Sequence, residues 1–144
     1  MENQGLSGSA TESTVSWDEW VSQMVLAGLN AVAIAGLSTG LLWAFTRDFS
    51  LDVFELQELS NHLLTGSPQE WPQRLSLGHC ELWKCEKFQP PRLLVATYGA
   101  LAIIVARTRE ALIVARVFTS TDTTTEDAVK IVQRYAEEIE KYGV

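Results

Sequence analysis

WVSQMVLAGLNAVAIAGLSTGLLWAFT, from Trp20 to Thr46, contains no charged residue and is bounded by Glu19 and Arg47. Its reading decides the fold. As one helix it exceeds the roughly 20 apolar residues that cross a bilayer. Gly36-x-x-x-Gly40 has the spacing at which two membrane helices approach closely, and Trp20 and Trp43 sit near the ends as interfacial anchors would. Against this stand Asn30, Ser38, Thr39 and interior glycines, with acidic Asp18 and Glu19 where an orienting Lys/Arg cluster belongs. The second reading accounts for more residues. Ser16 with Glu19 three positions later is a capping box, which predicts a helix from about Trp17. Trp17, Trp20, Val21, Met24 and Val25 form one apolar helical face. Leu29-Asn30 breaks it, Ala31 to Leu37 reads as a buried strand, Ser38-Thr39-Gly40 as a turn, and Leu41 to Phe45 as a second strand. The expectation is a helix and hairpin in the core of a small soluble domain.

The chain has 144 residues, long enough for one domain with a real core. A net charge of −7 argues against non-specific nucleic-acid binding, which needs a basic face to neutralise phosphates. No basic segment followed by an apolar one opens the chain, so no signal peptide is expected. Cys80 and Cys85 lie five apart on an expected strand, which points them to opposite faces and leaves them as free thiols in a reducing cytoplasm. His62, His79 and two cysteines are too few and too poorly spaced for a closed zinc site, and no cofactor is expected. Residues 1–14 are rich in Gly, Ser, Thr and Glu and read as a disordered tail; residues 15–144 read as the domain.

Ser50 is the expected cap of a second helix running to about Leu64, with Phe54, Leu56, Leu59 and Leu63 buried and Gly66 ending it. Ser67-Pro68 opens an expected short, turn-like helix through Trp71. Leu75 to Phe88 reads as one extended stretch. Leu93–Tyr98, Leu101–Ala106 and Leu112–Phe118 read as three antiparallel strands, because their connections are short. Their nearly continuous apolar runs predict a sheet covered on both faces. Thr123 with Glu126 predicts the start of a last helix, on which Ala128, Val132, Tyr135, Ile139 and Tyr142 recur at helical spacing until Gly143. This order describes a layered α+β domain.

No catalytic pattern emerges. The Gly36/Gly40 segment has no following lysine, so it is no phosphate loop. The adjacent acids Asp18/Glu19 and Glu137/Glu138 read as solvated helix faces. His62 has no visible partner. The chain is therefore read as a non-enzyme. Its unusual feature is five tryptophans. Trp17 and Trp20 lie one turn apart, Trp43 follows on the second strand, and the last helix brings Tyr135 or Tyr142 near. Such a shelf suits proline-rich segments, which dock preformed into aromatic grooves. Filling the core is the competing use of the same rings.

These residues resemble profilin. Profilins open with a Trp-x-x-Tyr pair and an apolar helix, here Trp17-Asp-Glu-Trp20-Val21. Ala31-Val-Ala-Ile34-Ala-Gly36, then Leu42-Trp43-Ala44, then Leu75-Ser-Leu77-Gly78, then Thr108-Arg-Glu-Ala111-Leu112-Ile113 follow in the family's order, and Gly143-Val144 closes the last helix. The resemblance implies a central antiparallel sheet with the N- and C-terminal helices on one face and two short helices on the other. It implies an actin-monomer-binding protein of the cytoplasm and cytoskeleton that regulates actin polymerisation and also takes proline-rich segments and phosphoinositides. Carried over by position, the actin surface is Trp71, Arg74, Glu81, Lys84, Tyr98, Thr123 and Lys130. The proline-rich site is Trp17, Trp20, Trp43 and Tyr142, and the phosphoinositide site Arg107, Arg109 and Arg116. Glu81 stands where relatives often carry lysine, Glu138 where they carry His or Tyr, and Val144 where they end in an aromatic. Tail and departures together fit a divergent member, of the kind found in archaeal lineages near eukaryotes. The alternative is a scaffold of roadblock or longin type, which shares a helix-covered antiparallel sheet and works as a dimer.

Overall fold

The computed structural model describes residues 15–49, 51–73, 75–78, 80–120 and 123–144. The expected tail, the Ser50 cap, Arg74 and His79 lie outside the described residues, as does the side chain of Glu81. The elements are α1 (Trp17–Leu26), β1 (Ala31–Gly36), β2 (Leu42–Phe45), α2 (Val53–Thr65), β3 (Leu75–Leu77), β4 (Cys80–Gln89), β5 (Leu93–Tyr98), β6 (Leu101–Arg107), β7 (Ala111–Phe118) and α3 (Thr125–Glu140). All seven strands join one antiparallel sheet in the order β2-β1-β7-β6-β5-β4-β3. The uncharged stretch thus resolves as helix, strand and strand. None of the helices among the described residues is long and apolar enough to cross a membrane.

Alternation along the strands explains the near-continuous apolar runs. Val32, Ile34, Val95, Ile104 and Ile113 point to one face, where they pack with Trp20, Val21 and Met24 of α1 and Ala128, Val132 and Ile139 of α3. Ala33, Leu94, Ile103, Val105, Leu112 and Val114 point to the other, with Leu56, Leu59 and Leu63 of α2. Burying one such aliphatic side chain is worth about 1.5–3 kcal/mol. The two terminal helices share a face of the sheet, and α2 covers the opposite one.

The helix starts follow local chemistry. In α1 the Ser16 hydroxyl accepts from the Glu19 amide at 3.1 Å and the Ser16 amide donates to Glu19 Oε1 at 3.0 Å. The α2 cap is Asp52, boxed by Glu55. Glu55 is buried, and it also accepts from the Ser76 hydroxyl at 3.0 Å and the Gly78 amide at 3.1 Å, which ties α2 to β3.

Five expectations need correction. Phe54 is 75 % exposed on α2, not buried with Leu56, Leu59 and Leu63. Ser67 to Glu70 is a tight turn closed by a bridge between those residues, and no short helix forms there; Pro68 favours the turn's first central position. Leu75 to Phe88 is two strands, because Gly78 at φ 60° turns the chain back. The last helix is capped by Thr124 with Asp127, one residue later than expected. Cys80 and Cys85 do not face opposite ways: both pack on the α2 side, since the β3–β4 register shifts between Leu75 and Leu77 and carries Cys80 and Trp83 to one face. Both cysteines are free, and burial pushes the Cys85 thiol above its ordinary value.

Candidate functional site

Two surfaces carry the sequence-predicted residues. The first lies where α1, β2 and the end of α3 meet. Trp17 is half-buried and its ring centroid is 4.8 Å from that of Trp43, which is 40 % exposed. A Cβ at Gly36 would meet Trp43 Cζ2 at 3.1 Å, so the bare glycine lets that ring lie close to β1. Trp20 is only 6 % exposed. It forms the floor, edge-on to Tyr142 at 5.7 Å and Tyr135 at 6.2 Å. Tyr142 is exposed, and the Arg134 guanidinium covers Tyr135 at 4.9 Å. The structure therefore brings Trp17, Trp43 and Tyr142 to the surface and assigns Trp20 to the core beneath them. Glu138 is half-buried and accepts from Lys141 Nζ at 2.9 Å; that carboxylate raises the lysine's pKa.

The second surface lies where the first half of α3 crosses β4 and β5. Glu86, Lys87, Val95, Thr125, Glu126, Val129, Lys130 and Gln133 line a cleft of about 420 Å³. Val95 and Val129 give it an apolar floor and the charges give it a rim. Lys84 stands opposite Thr97 in the β4–β5 register, and the Thr97 hydroxyl donates to Glu86 at 3.3 Å. Asp127 has a carboxylate held below its usual pKa by the Thr124 hydroxyl and amide, with a smaller attraction from Lys130. Lys84, Lys130 and the start of α3 next to Thr123 thus belong to one side of the sheet. Tyr98 does not join them. It packs edge-on to Trp83 at 5.9 Å and lines a cleft on the α2 side with Phe49 and Arg116. Trp71 is exposed, in the loop after the 67–70 turn, with its indole N–H bound to the Pro68 carbonyl at 3.0 Å.

Glu86, Lys87 and Gln133 were missed by the sequence reading. Gln133 had a visible signal, since Glu126, Lys130 and Gln133 fall at helical spacing. Glu86 also had one, since it lies two residues from Lys84 on the same strand; Lys87 had none, because the register shift between Cys85 and Lys87 aims it into the cleft against strand alternation.

The three arginines do not form one patch. Arg116 lies over the Phe49 ring at 5.2 Å on the α2 side. Arg107 pairs in register with Leu112, four positions along β7 from Arg116 and so about 13 Å away; its Nε donates to the Thr108 carbonyl at 3.0 Å. Arg109 is exposed in the following turn. No group of three or more His, Cys, Asp or Glu side chains able to hold a metal occurs among the described residues.

The family model for profilin matches residues 15–144. Among solved structures, a profilin of Schizosaccharomyces pombe is similar over 90 % of this chain and 100 % of its own, with TM-score 0.77 and 19 % identity. A Loki profilin 2 solved in complex with rabbit actin is similar over 83 % and 92 %, with TM-score 0.66 and 17 % identity. Mouse profilin IIa, solved with a double repeat from the FH1 domain of mDia1, is similar over 90 % and 100 %, with TM-score 0.64 and 16 % identity. No curated protein sequence matches the chain.

Proposed function

This chain belongs to the profilin family, and from that premise we propose that it binds monomeric actin and regulates actin polymerisation. Profilins are non-enzymatic actin regulators. The observation that carries the reading is the cleft beside Lys130. It joins an apolar floor to a rim of opposite charges, which suits a specific protein interface of the kind that captures a folded partner. A monomer-binding protein of this type works by occupying one face of actin. Nucleation then slows in proportion to the actin held, while the other face stays free. The actin surface we propose is Lys84, Thr123 and Lys130, extended by Glu86, Lys87 and Gln133. Trp71 enters it as a flanking residue, and Tyr98 leaves it because it faces the other side of the sheet.

The test is assembly of pyrene-labelled actin with increasing amounts of this protein. Dose-dependent slowing of nucleation is the expected result, and it should fade with Lys130→Glu. Unchanged assembly across actins, including that of the source organism, would overturn monomer binding for this member of the family.

A second activity is favoured by the Trp17–Trp43 pair: docking of proline-rich segments on the surface rings, with Tyr142 as the opposite wall. The flat rings offer stacking area at little entropic cost to a preformed, extended ligand. Phosphoinositide binding is left out of the proposal, because Arg107, Arg109 and Arg116 do not converge. A cytoplasmic, cytoskeletal place follows from actin as partner.

A further inference from the structure

The uncharged stretch explains the core strand β1, but it also leaves large apolar side chains in water. Leu26 is 87 % exposed, Leu41 59 % and Phe45 46 %. All three flank the open edge of the sheet, for β2 is an end strand and pairs only with β1. Natural edge strands are commonly blunted by lysine, proline or an inward charge; LLWAFT, residues 41–46, has none of these. The edge is also chemically open. The Thr46 amide donates to the Val32 carbonyl at 2.9 Å, which makes Thr46 and Val32 a hydrogen-bonded pair. Phe45, opposite Ala33, is then a non-hydrogen-bonded position, and its own amide and carbonyl face away from the sheet. Above this edge α1 overhangs. Val21, Ser22, Val25 and Leu26 form with Phe45 and Thr46 an apolar groove of about 470 Å³, and Asp18 lines it too. The Trp17–Trp43 pair stands next to it, through the neighbouring residues Asp18 and Ala44.

We propose that this groove receives an extended segment that adds as an eighth strand to β2 and carries a basic residue beside apolar ones, continuous with a proline-rich segment on the Trp17–Trp43 rings. Main-chain bonds to Phe45 would hold such a strand, and its alternate side chains would enter under Val25 and Leu26. Proline itself cannot donate such a bond, so the added strand is the non-proline flank of the ligand. Charge selects the occupant. Asp18 lines the groove, α1 has no basic residue, and no ion pair to Asp18 occurs among the described residues. A second copy of this chain would bring another net −7 to the same edge, which disfavours self-pairing. The proposal rests on the proline-rich reading for its neighbour, and its own site is tested separately.

The probes are decaproline, decaproline followed by Arg-Thr-Val-Thr-Val, decaproline preceded by Val-Thr-Val-Thr-Arg, and the Arg-Thr-Val-Thr-Val pentapeptide alone. The full chain is titrated with each. One of the two flanked peptides should bind at least about tenfold more tightly than decaproline. Leu26→Glu, at a position already in water, should erase that gain and leave decaproline binding unchanged. The pentapeptide alone should shift the amide resonances of Leu26 and Phe45. If decaproline binds and neither flank adds affinity, the edge site is overturned and the aromatic shelf stands. If decaproline fails while the pentapeptide shifts Phe45, the shelf is overturned and the edge site stands. Failure of both overturns both. A dimer in sedimentation that Leu26→Glu dissolves would also overturn the proposal, because the edge would then be a contact between copies.

Discussion

The aromatic shelf and the charged cleft share one helix, and they use it in opposite ways. The second half of α3 supplies Tyr135, which packs with Trp20 over the terminal-helix core; the first half supplies Glu126 and Lys130, and Gln133 just past the middle, to a rim in water. At the shelf, binding surface and core are continuous: Trp43 and Tyr142 are exposed, and Tyr142 packs edge-on to the buried Trp20. At the cleft they are separate, since only Val95 and Val129 belong to both. Substitutions at the shelf should therefore mix stability with binding, whereas substitutions at the cleft should change binding alone.

Trp20→Ala is the strongest way to break this contrast. Truncating a buried tryptophan costs about 3–5 kcal/mol, so the guanidinium midpoint should fall sharply and peptide binding should vanish with the fold. A cost below about 1 kcal/mol would place Trp20 on the surface and dissolve the distinction between floor and shelf. Trp43→Ala comes next. The ring is 40 % exposed, so its loss should be milder in denaturation, yet decaproline affinity should fall by tenfold or more in calorimetry, about 1.4 kcal/mol. Equal loss of stability and of binding would show that Trp43 serves only the core.

Lys130→Glu sharpens the other side. It places a third acid beside Glu126 and Glu86 and should weaken actin binding about tenfold, mainly through a slower encounter, while the denaturation midpoint stays within about 0.5 kcal/mol of the parent. Actin assembly unaffected by this change would remove the cleft from the interface.

The difference between the two regions also governs how legible they were. Helix α1, the β1–β2 hairpin and the rings of Trp17, Trp20 and Trp43 could be read because a capping box, helical spacing and turn residues are local signals. Which ring is covered was not legible: Trp17 and Trp20 share a helix face, and it is tertiary packing, with Tyr135 and Tyr142 edge-on to Trp20, that buries the second. The cleft was legible through α3 and obscure through β4. A register shift changes which side later residues face, so Lys87 joins Glu86 at the cleft and Cys80 and Cys85 share a face, against simple alternation. Tyr98 lies apart from Lys84 and Lys130 for a related reason, since position along the chain does not say which face of a sheet a side chain takes. The uncharged edge at β2 was hidden by its own composition, because an apolar run reads as core wherever the sheet happens to end.

The smallest effect tests whether the cleft can be loosened without touching the shelf. The Asp127 carboxylate accepts from the Thr124 amide at 3.3 Å of geometry reciprocated by the Thr124 hydroxyl's bond from the Asp127 amide at 3.1 Å, and its pKa is lowered. A carboxylate depressed in the folded state stabilises it above the unfolded value of about 3.9, and that contribution fades as pH falls through the lower folded value. Thr124→Ala should cost about 1 kcal/mol as a lost helix cap and move the Asp127 titration, followed by carbon-13 resonances, back towards the ordinary carboxylate range. Because Thr124 and Asp127 hold the first turn of α3 and Tyr135 lies two turns further on, actin binding should weaken in this variant before the Trp20–Tyr135 contact is disturbed. Loss of both together would mean that α3 moves as one rigid body and that the shelf and the cleft are coupled.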